Sequence, residues 1–111
     1  NNIVQRVKCA IIEMLPSGGV SDEKVAKRFN MSTRSLQRKL QGAHTTFGKL
    51  LDEVRQEVAE HYIHDSNVSL SEIAFVLGYS EYSSFWRAYK RWTKVSPSDI
   101  RKSEQNLYEE H

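Results

Sequence analysis

A segment near the start of the chain recurs near its end, and this internal repeat is the strongest constraint on the fold. Residues 20–32 match residues 68–80 at an offset of 48. Beyond the matched stretch the offset becomes 49, so that Arg38 corresponds to Arg87. Self-similarity of this kind indicates that one supersecondary unit is used twice. The fold is therefore expected to contain two copies of that unit.

Each copy has the pattern of two helices joined by a tight turn. Asn30 of the first copy corresponds to Gly78 of the second. Both residue types tolerate the left-handed backbone that a sharp turn between helices requires. Ala26 and Ala74 also correspond, and both are small enough to let two helices cross closely. The repeated unit is therefore predicted to be a helix-turn-helix motif.

Helix-start signals are frequent along the whole chain, and strand patterns are nearly absent. A serine before a helical pattern can cap it, because the hydroxyl accepts a hydrogen bond from an orphan backbone N–H. The predicted caps are Ser21, Ser32, Ser69, Ser80 and Ser96. The fold is predicted to be all-α with seven helices, at 2–15, 22–29, 33–41, 46–65, 70–77, 81–93 and 97–103.

The longest predicted helix, at 46–65, is expected to link the two motifs. It carries apolar residues at three- and four-residue steps, and about 20 residues at roughly 1.5 Å each would form a rod of about 30 Å. The predicted organisation is a first helix-turn-helix subdomain at 1–45, a linker helix at 46–65, a second helix-turn-helix subdomain at 66–103 and a loose tail at 104–111. Because the chain starts with Asn1 inside a helical pattern, we also expect a fragment of a longer protein.

The charge is distributed unevenly. The net charge is only +2, but 24–41 contains six Lys and Arg residues and no acid, and 86–102 contains six with Asp99 alone opposing them. The stretch between these two basic islands is acidic on balance. Such an asymmetry indicates two contacts with a polyanion, although solvated helix faces would produce the same charges.

Other kinds of site have little support in the sequence. His61 and His64 lie three residues apart near acidic residues, but no second helix supplies further ligands, so no metal or cofactor is predicted. No serine has His and Asp at a meaningful spacing and no glycine-rich phosphate loop occurs, so the chain is not predicted to be an enzyme. No apolar run reaches the roughly 18 residues of a membrane span. The lone Cys9 fits a reducing compartment, which favours a cytoplasmic location.

The second helix of each motif is expected to have one buried face and one free face. At roughly 100° per residue, Leu36 and Leu40 point inward in the first copy, and Phe85, Ala88, Tyr89 and Trp92 point inward in the second. The outward residues are Arg34, Gln37, Arg38 and Gln41, and then Ser83, Trp86, Arg87 and Lys90. Arginine can bind guanine and glutamine can bind adenine through two hydrogen bonds each. The alternatives are that Trp86 packs against a neighbouring helix and that the arginines only confer solubility.

The chain also resembles a known family. The resemblance rests on MSTRSLQRKL, IAFVLGYSEYSSFWRAYKRW and VSPSDIR, with FGKLLDEVRQEVAEHYI as a linker helix, and it covers about residues 2–102. These stretches are similar to the DNA-binding domain of the AraC/XylS family of bacterial transcription regulators. The branch that they resemble most has an arabinose-binding-like amino-terminal domain.

The resemblance implies sequence-specific binding of double-stranded DNA, with the recognition helices at about 33–41 and 81–93 in successive major grooves. The implied base contacts are Arg34, Gln37, Arg38, Tyr82, Ser83, Trp86 and Arg87. The predicted phosphate contacts are Lys39, Gln41, Lys90 and Arg91, because cationic and polar side chains at the flanks suit phosphates. The sequence departs from the family pattern at His44 and Lys94, where glycine is usual, and at Trp86, where a small polar residue is usual.

The resemblance also implies a wider setting for the chain. It predicts a cytoplasmic activator, nucleoid-associated when bound, with RNA polymerase as a further partner and a separate amino-terminal domain for effector binding and dimerisation. The alternative hypothesis is a helical protein-interaction module that docks an acidic partner through its basic islands and exposed rings.

Overall fold

The computed structural model of the protein describes the backbone of residues 2–109 and the side chains of residues 2–104. Over this range the chain is helical, without strands. Its α-helices are α1 (Ile3–Met14), α2 (Asp22–Arg28), α3 (Thr33–Gly42), α4 (Phe47–Ile63), α5 (Leu70–Val76), α6 (Tyr82–Thr93) and α7 (Pro97–Glu109). The predicted all-α fold with seven helices is confirmed. None of the described helices combines the length and the apolar character that a membrane span requires.

The chain divides into two compact units, Asn1–Arg55 and Gln56–His111. The division falls inside α4, so each half of this helix packs with a different unit. The first unit contains the α2–α3 motif and buries Val7, Ala10, Ile11, Leu15, Val25, Ala26, Leu36, Leu40, Leu50 and Val54. The second unit contains the α5–α6 motif around a core of Ala59, Ile63, Ile73, Ala74, Leu77, Phe85 and Tyr89.

The turn between the two helices of each motif begins with the same backbone conformation in both units. Asn30 has φ 56° and Gly78 has φ 86°, both in the left-handed region as predicted. The next amide, of Met31 or Tyr79, donates to the carbonyl of the buried alanine five residues earlier, at 3.0 and 3.1 Å respectively. This Schellman arrangement satisfies carbonyls that the helix end leaves without donors.

Four of the five predicted serine caps are confirmed. Each of these hydroxyls accepts a hydrogen bond from the backbone N–H three residues later, at 3.0 to 3.2 Å: Ser21, Ser32, Ser69 and Ser96. At Ser69 the cap is reciprocal, because the carboxylate of Glu72 accepts from the Ser69 N–H. The hydrogen bonds from Ser69 hold the pKa of Glu72 below its ordinary value.

The prediction of a cap at Ser80 is wrong. Helix α6 begins at Tyr82, and the residue before it, Glu81, makes no capping hydrogen bond with its side chain. The change of offset from 48 to 49 explains the error, because Glu81 rather than Ser80 then corresponds to the cap Ser32. Ser80 is the one extra residue in the turn of the second copy.

The predicted end of the last helix is also wrong. We expected the helix to end at 103 and a loose tail to follow, but α7 continues to Glu109. The residues after 103 include no glycine or proline that would stop a helix. The polarity of this stretch suggested a loose tail, but polar residues are equally compatible with a helix that faces water. Residues 110–111 of the predicted tail lie outside the described residues.

Two residues with side chains adopt the backbone that the family usually assigns to glycine. His44, after α3, has φ 63°, and Lys94, after α6, has φ 70°. At Lys94 the N–H donates to the carbonyl of Lys90 at 2.7 Å and closes the helix. A residue with a Cβ in this region costs roughly 1–2 kcal/mol. Helices α3 and α6 are therefore each followed by a residue with backbone strain.

Replacing the strained lysine with glycine is expected to stabilise the protein. Lys94→Gly should raise the free energy of unfolding by about 1 kcal/mol, because glycine has no Cβ to strain the backbone at positive φ. Glycine also increases the conformational entropy of the unfolded chain, but this offsets only part of the gain. Urea denaturation measures the change as a higher midpoint at constant slope. The control Lys102→Gly, within α7, should lower stability by about 1 kcal/mol. A Lys94→Gly protein no more stable than the parent would contradict the strain.

Candidate nucleic-acid interface

Helix α3 has one buried face and one exposed face. Leu36 and Leu40 are 0 % and 1 % exposed. The side chains predicted to contact DNA from this helix are all exposed: Arg34, Gln37, Arg38, Lys39 and Gln41. The predicted division of the helix into two faces is confirmed. That these five exposed side chains contact DNA stays a prediction.

Helix α6 is divided in the same way, with a larger aromatic core. Phe85, Ala88 and Tyr89 are buried, and Trp92 is half-buried. The hydroxyl of Tyr89 donates to Glu60 of α4 at 3.1 Å. Burial raises the pKa of Tyr89 well above its ordinary value, and the negative charge of Glu60 raises it further. Tyr89 is therefore a neutral donor that anchors α6 to α4 within the second unit.

Trp86 and Lys90 form a pair on the outward side of α6. The Nζ atom of Lys90 lies 5.1 Å from the centroid of the Trp86 ring, which is a cation–π distance. Trp86 is half-buried, whereas Lys90 and the neighbouring Arg87 are exposed. A side chain predicted to contact phosphate thus lies over a ring predicted to contact bases.

The remaining predicted contacts of α6 differ in exposure. Ser83 and Arg91 are exposed. Tyr82 packs against the core of the second unit, with its ring 6.2 Å from that of Phe85. Burial raises the pKa of Tyr82, and Arg101 and a hydrogen bond with Ser98 oppose this rise. The Tyr82 hydroxyl is therefore engaged with α7.

Gln37 has a partner that the sequence did not suggest. Its amide nitrogen Nε2 donates to Oδ2 of Asp22, the first residue of α2, at 3.5 Å. Both side chains line a cleft of about 300 Å³ together with Gln41 and Thr45. Helical periodicity does not reveal this pair, because its members belong to different helices.

His61 of α4, His64 just after it and Cys9 are not arranged as a metal site within the described residues. His64 contacts the carboxylates of Glu60 and Glu104. Within residues 2–104, no group of three or more His, Cys, Asp or Glu side chains is arranged to hold a metal ion. Cys9 is exposed on α1, beside a groove in which Arg6 lies 4.8 Å from the ring of Phe29.

Comparison with known proteins establishes the family. Residues 25–103 match the model of a helix-turn-helix domain family. The chain belongs to the AraC-type helix-turn-helix family. The resemblance found in the sequence is thereby confirmed, while the arabinose-binding-like branch stays a prediction. The proteins of this family are transcription regulators, which confirms that the chain is not an enzyme.

Curated relatives of this AraC-type domain are regulators of greater length. The chain is 40% identical over 81 residues to the ornithine utilization regulator of Pseudomonas aeruginosa, covering 73% of this chain and 24% of that protein. It is 36% identical over 80 residues to the transcriptional activator RhaS of Klebsiella pneumoniae, covering 71% of this chain and 29% of that protein. The chain thus spans less than a third of the length of these relatives.

Solved structures share the fold. A DNA-binding transcriptional dual regulator from Escherichia coli K-12 has a TM-score of 0.86 at 23% identity, covering 96% of this chain and 95% of that one. The DNA-binding domain of AdpA, crystallised with a target DNA, has a TM-score of 0.77 at 20% identity and covers 96% of each chain. These neighbours show the fold, and the family and its curated relatives support DNA binding in transcription regulation.

Arg101 closes VSPSDIR, one of the stretches that mark the AraC-type family, and it serves the fold. It belongs to the second basic island, which suggested a polyanion contact. Its Nε donates to the carbonyl of Ile63 at 3.0 Å, and a terminal nitrogen donates to Tyr62 and Asp65 at 3.2 and 2.9 Å. Carbonyls at the end of a helix have no donors within the helix. Arg101 therefore caps α4.

Removing the Arg101 guanidinium is expected to destabilise the second unit. Arg101→Ala should lower the free energy of unfolding by about 2 kcal/mol, because carbonyls at the end of α4 lose a charged donor. Arg101→Lys should recover only a small part of this, since lysine lacks the planar fork of donors. Urea denaturation measures both changes, with Lys102→Ala as an exposed control that stays within about 0.5 kcal/mol of the parent. Parental stability in Arg101→Ala would refute the capping role.

Proposed function

We propose that this domain binds double-stranded DNA sequence-specifically, as the DNA-binding part of a bacterial transcription regulator. The observation that carries the proposal is the equivalence of two exposed helix faces. Arg38 and Arg87 occupy corresponding positions of the repeat, and each is exposed on a helix whose other face is buried. A repeat that retains an exposed arginine in both copies fits a polyanion with two equivalent binding sites.

The proposed base contacts combine hydrogen bonds and apolar contact. In α3 they are Arg34, Gln37 and Arg38, and in α6 they are Tyr82, Ser83, Trp86 and Arg87. Arginine suits O6 and N7 of guanine, and glutamine suits N6 and N7 of adenine. The half-buried Trp86 ring suits the C5-methyl group of thymine. Tyr82 also packs on the core of the second unit, which fixes the start of α6.

The proposed phosphate contacts flank these positions. They are Lys39 and Gln41 at the end of α3, and Lys90 and Arg91 towards the end of α6. Contacts of this kind position a protein on the duplex without sequence preference. They also make binding depend on salt, because each neutralised phosphate releases counterions.

The wider setting is also part of the proposal. We expect α3 and α6 to enter successive major grooves of one duplex, about 34 Å apart. Because the chain spans less than a third of its curated relatives, we expect an amino-terminal domain for effector binding and dimerisation. The relative RhaS is named an activator, which supports the proposal that the intact protein activates transcription. RNA polymerase is the further partner that we propose for an activator.

Removing either arginine is expected to weaken specific binding at its own half-site. On an operator selected from a random duplex pool, Arg38→Ala and Arg87→Ala should each cost roughly 1–3 kcal/mol and relax base preference at different positions. Fluorescence anisotropy titrations against single-base-pair variants of that operator measure both effects.

The control variant Lys39→Ala, at an exposed proposed phosphate contact of α3, should instead weaken binding to all duplexes alike and reduce the salt slope by about 1. Parental affinity in both arginine variants would contradict the proposed base contacts. A salt titration against random duplex separates the proposal from the alternative, a helical interaction module for an acidic partner. DNA binding predicts a steep log–log slope, whereas undetectable binding at low salt would favour the interaction module.

A further inference from the structure

The contact between Asp22 and Gln37 determines which end of the Gln37 amide faces outward. Nε2 of Gln37 lies 3.5 Å from Oδ2 of Asp22. An ionised carboxylate only accepts hydrogen bonds, so only the NH₂ end of the amide can face it. The carbonyl oxygen Oε1 is then directed away from Asp22, and Gln37 is exposed on α3.

We propose that Asp22 is a positioning residue that makes Gln37 select adenine over guanine, an inference that rests on the proposed DNA binding. In the major groove, adenine presents an amine donor beside the N7 acceptor, whereas guanine presents two acceptors. An outward Oε1 accepts from the adenine amine, and the second N–H of Nε2 remains available for N7. A glutamine free to turn its amide over could donate to guanine instead.

The internal repeat supports the view that these two positions act together. Asp22 corresponds to Leu70 at the offset of 48, and Gln37 corresponds to Trp86 at the offset of 49. Leu70 packs against the core of the second unit. Where the recognition helix carries no amide, the partner position therefore carries no carboxylate. Both positions change from polar to apolar between the copies.

A purely structural role for Asp22 makes a different prediction. Asp22 and Glu23 are both acids in the first turn of α2, where a negative charge stabilises a helix. If Asp22 acted only there, its loss would lower stability and leave base preference unchanged. Base preference at the position that Gln37 contacts is thus the readout that separates positioning from helix stabilisation.

The test compares binding to four duplexes that differ at one base pair. The operator is first selected with the parent protein from a random pool, and Gln37→Ala identifies the base pair whose preference is lost. At that base pair Asp22→Ala should reduce the preference for adenine over guanine by about tenfold, the order of one bidentate contact. Preferences at the positions that depend on Arg38 and Arg87 should not change.

Two further variants complete the test. Asp22→Asn keeps a side-chain oxygen that accepts from Nε2, so it should retain most of the adenine preference while binding all duplexes more tightly. Glu23→Ala removes the neighbouring acid of the same turn and should leave the preference intact. Circular dichroism and urea denaturation confirm that each variant is folded.

Two outcomes would overturn the role of Asp22. One is an unchanged adenine preference in Asp22→Ala, and the other is a base pair assigned to Gln37 at which the parent does not prefer adenine. Either result leaves the proposed function standing, because an operator has been enriched and bound. Failure of the parent protein to enrich any sequence would instead reject the DNA-binding proposal itself.

Discussion

The left-handed turn between the two helices of each motif is the constraint on which the rest of the structure depends. At Asn30 and Gly78 the backbone reverses with positive φ, and the following amide closes the helix end on a buried alanine. This turn brings the second helix across the first with one face inward. Because Leu36 or Phe85 occupies the core beneath it, the opposite face must remain in solvent. The exposed arginines follow from that geometry.

The two copies share this backbone arrangement but differ in the chemistry of their exposed faces. In the first, the Gln37 amide contacts the carboxylate of Asp22 on the neighbouring helix. In the second, Trp86 lies under the ammonium group of Lys90. A polar amide suits base edges with donors and acceptors, whereas an aromatic ring suits apolar contact. Duplication followed by change at a few exposed positions would let one backbone arrangement recognise two different half-sites.

The sequence predicted those parts of the structure that depend on local periodicity and on turn chemistry. The residue types at the turn predicted the positive φ of Asn30 and Gly78, and spacing along each helix predicted the buried faces of α3 and α6. Features that join distant segments were missed. Arg101 contacts the end of α4 from 36 to 39 residues away, and no periodic pattern encodes such a contact. Ser80 was wrongly predicted to be a cap because the second turn contains one additional residue, so that α6 begins one residue later than expected.

The central claim is that each copy of the motif presents its own DNA-contacting helix. Hydroxyl-radical footprinting of the parent protein on its selected operator tests this claim most directly. The account predicts two protected patches, centred about 10 base pairs apart on one side of the duplex, as expected for helices in successive major grooves. A single protected patch, or two patches on opposite sides of the duplex, would contradict it.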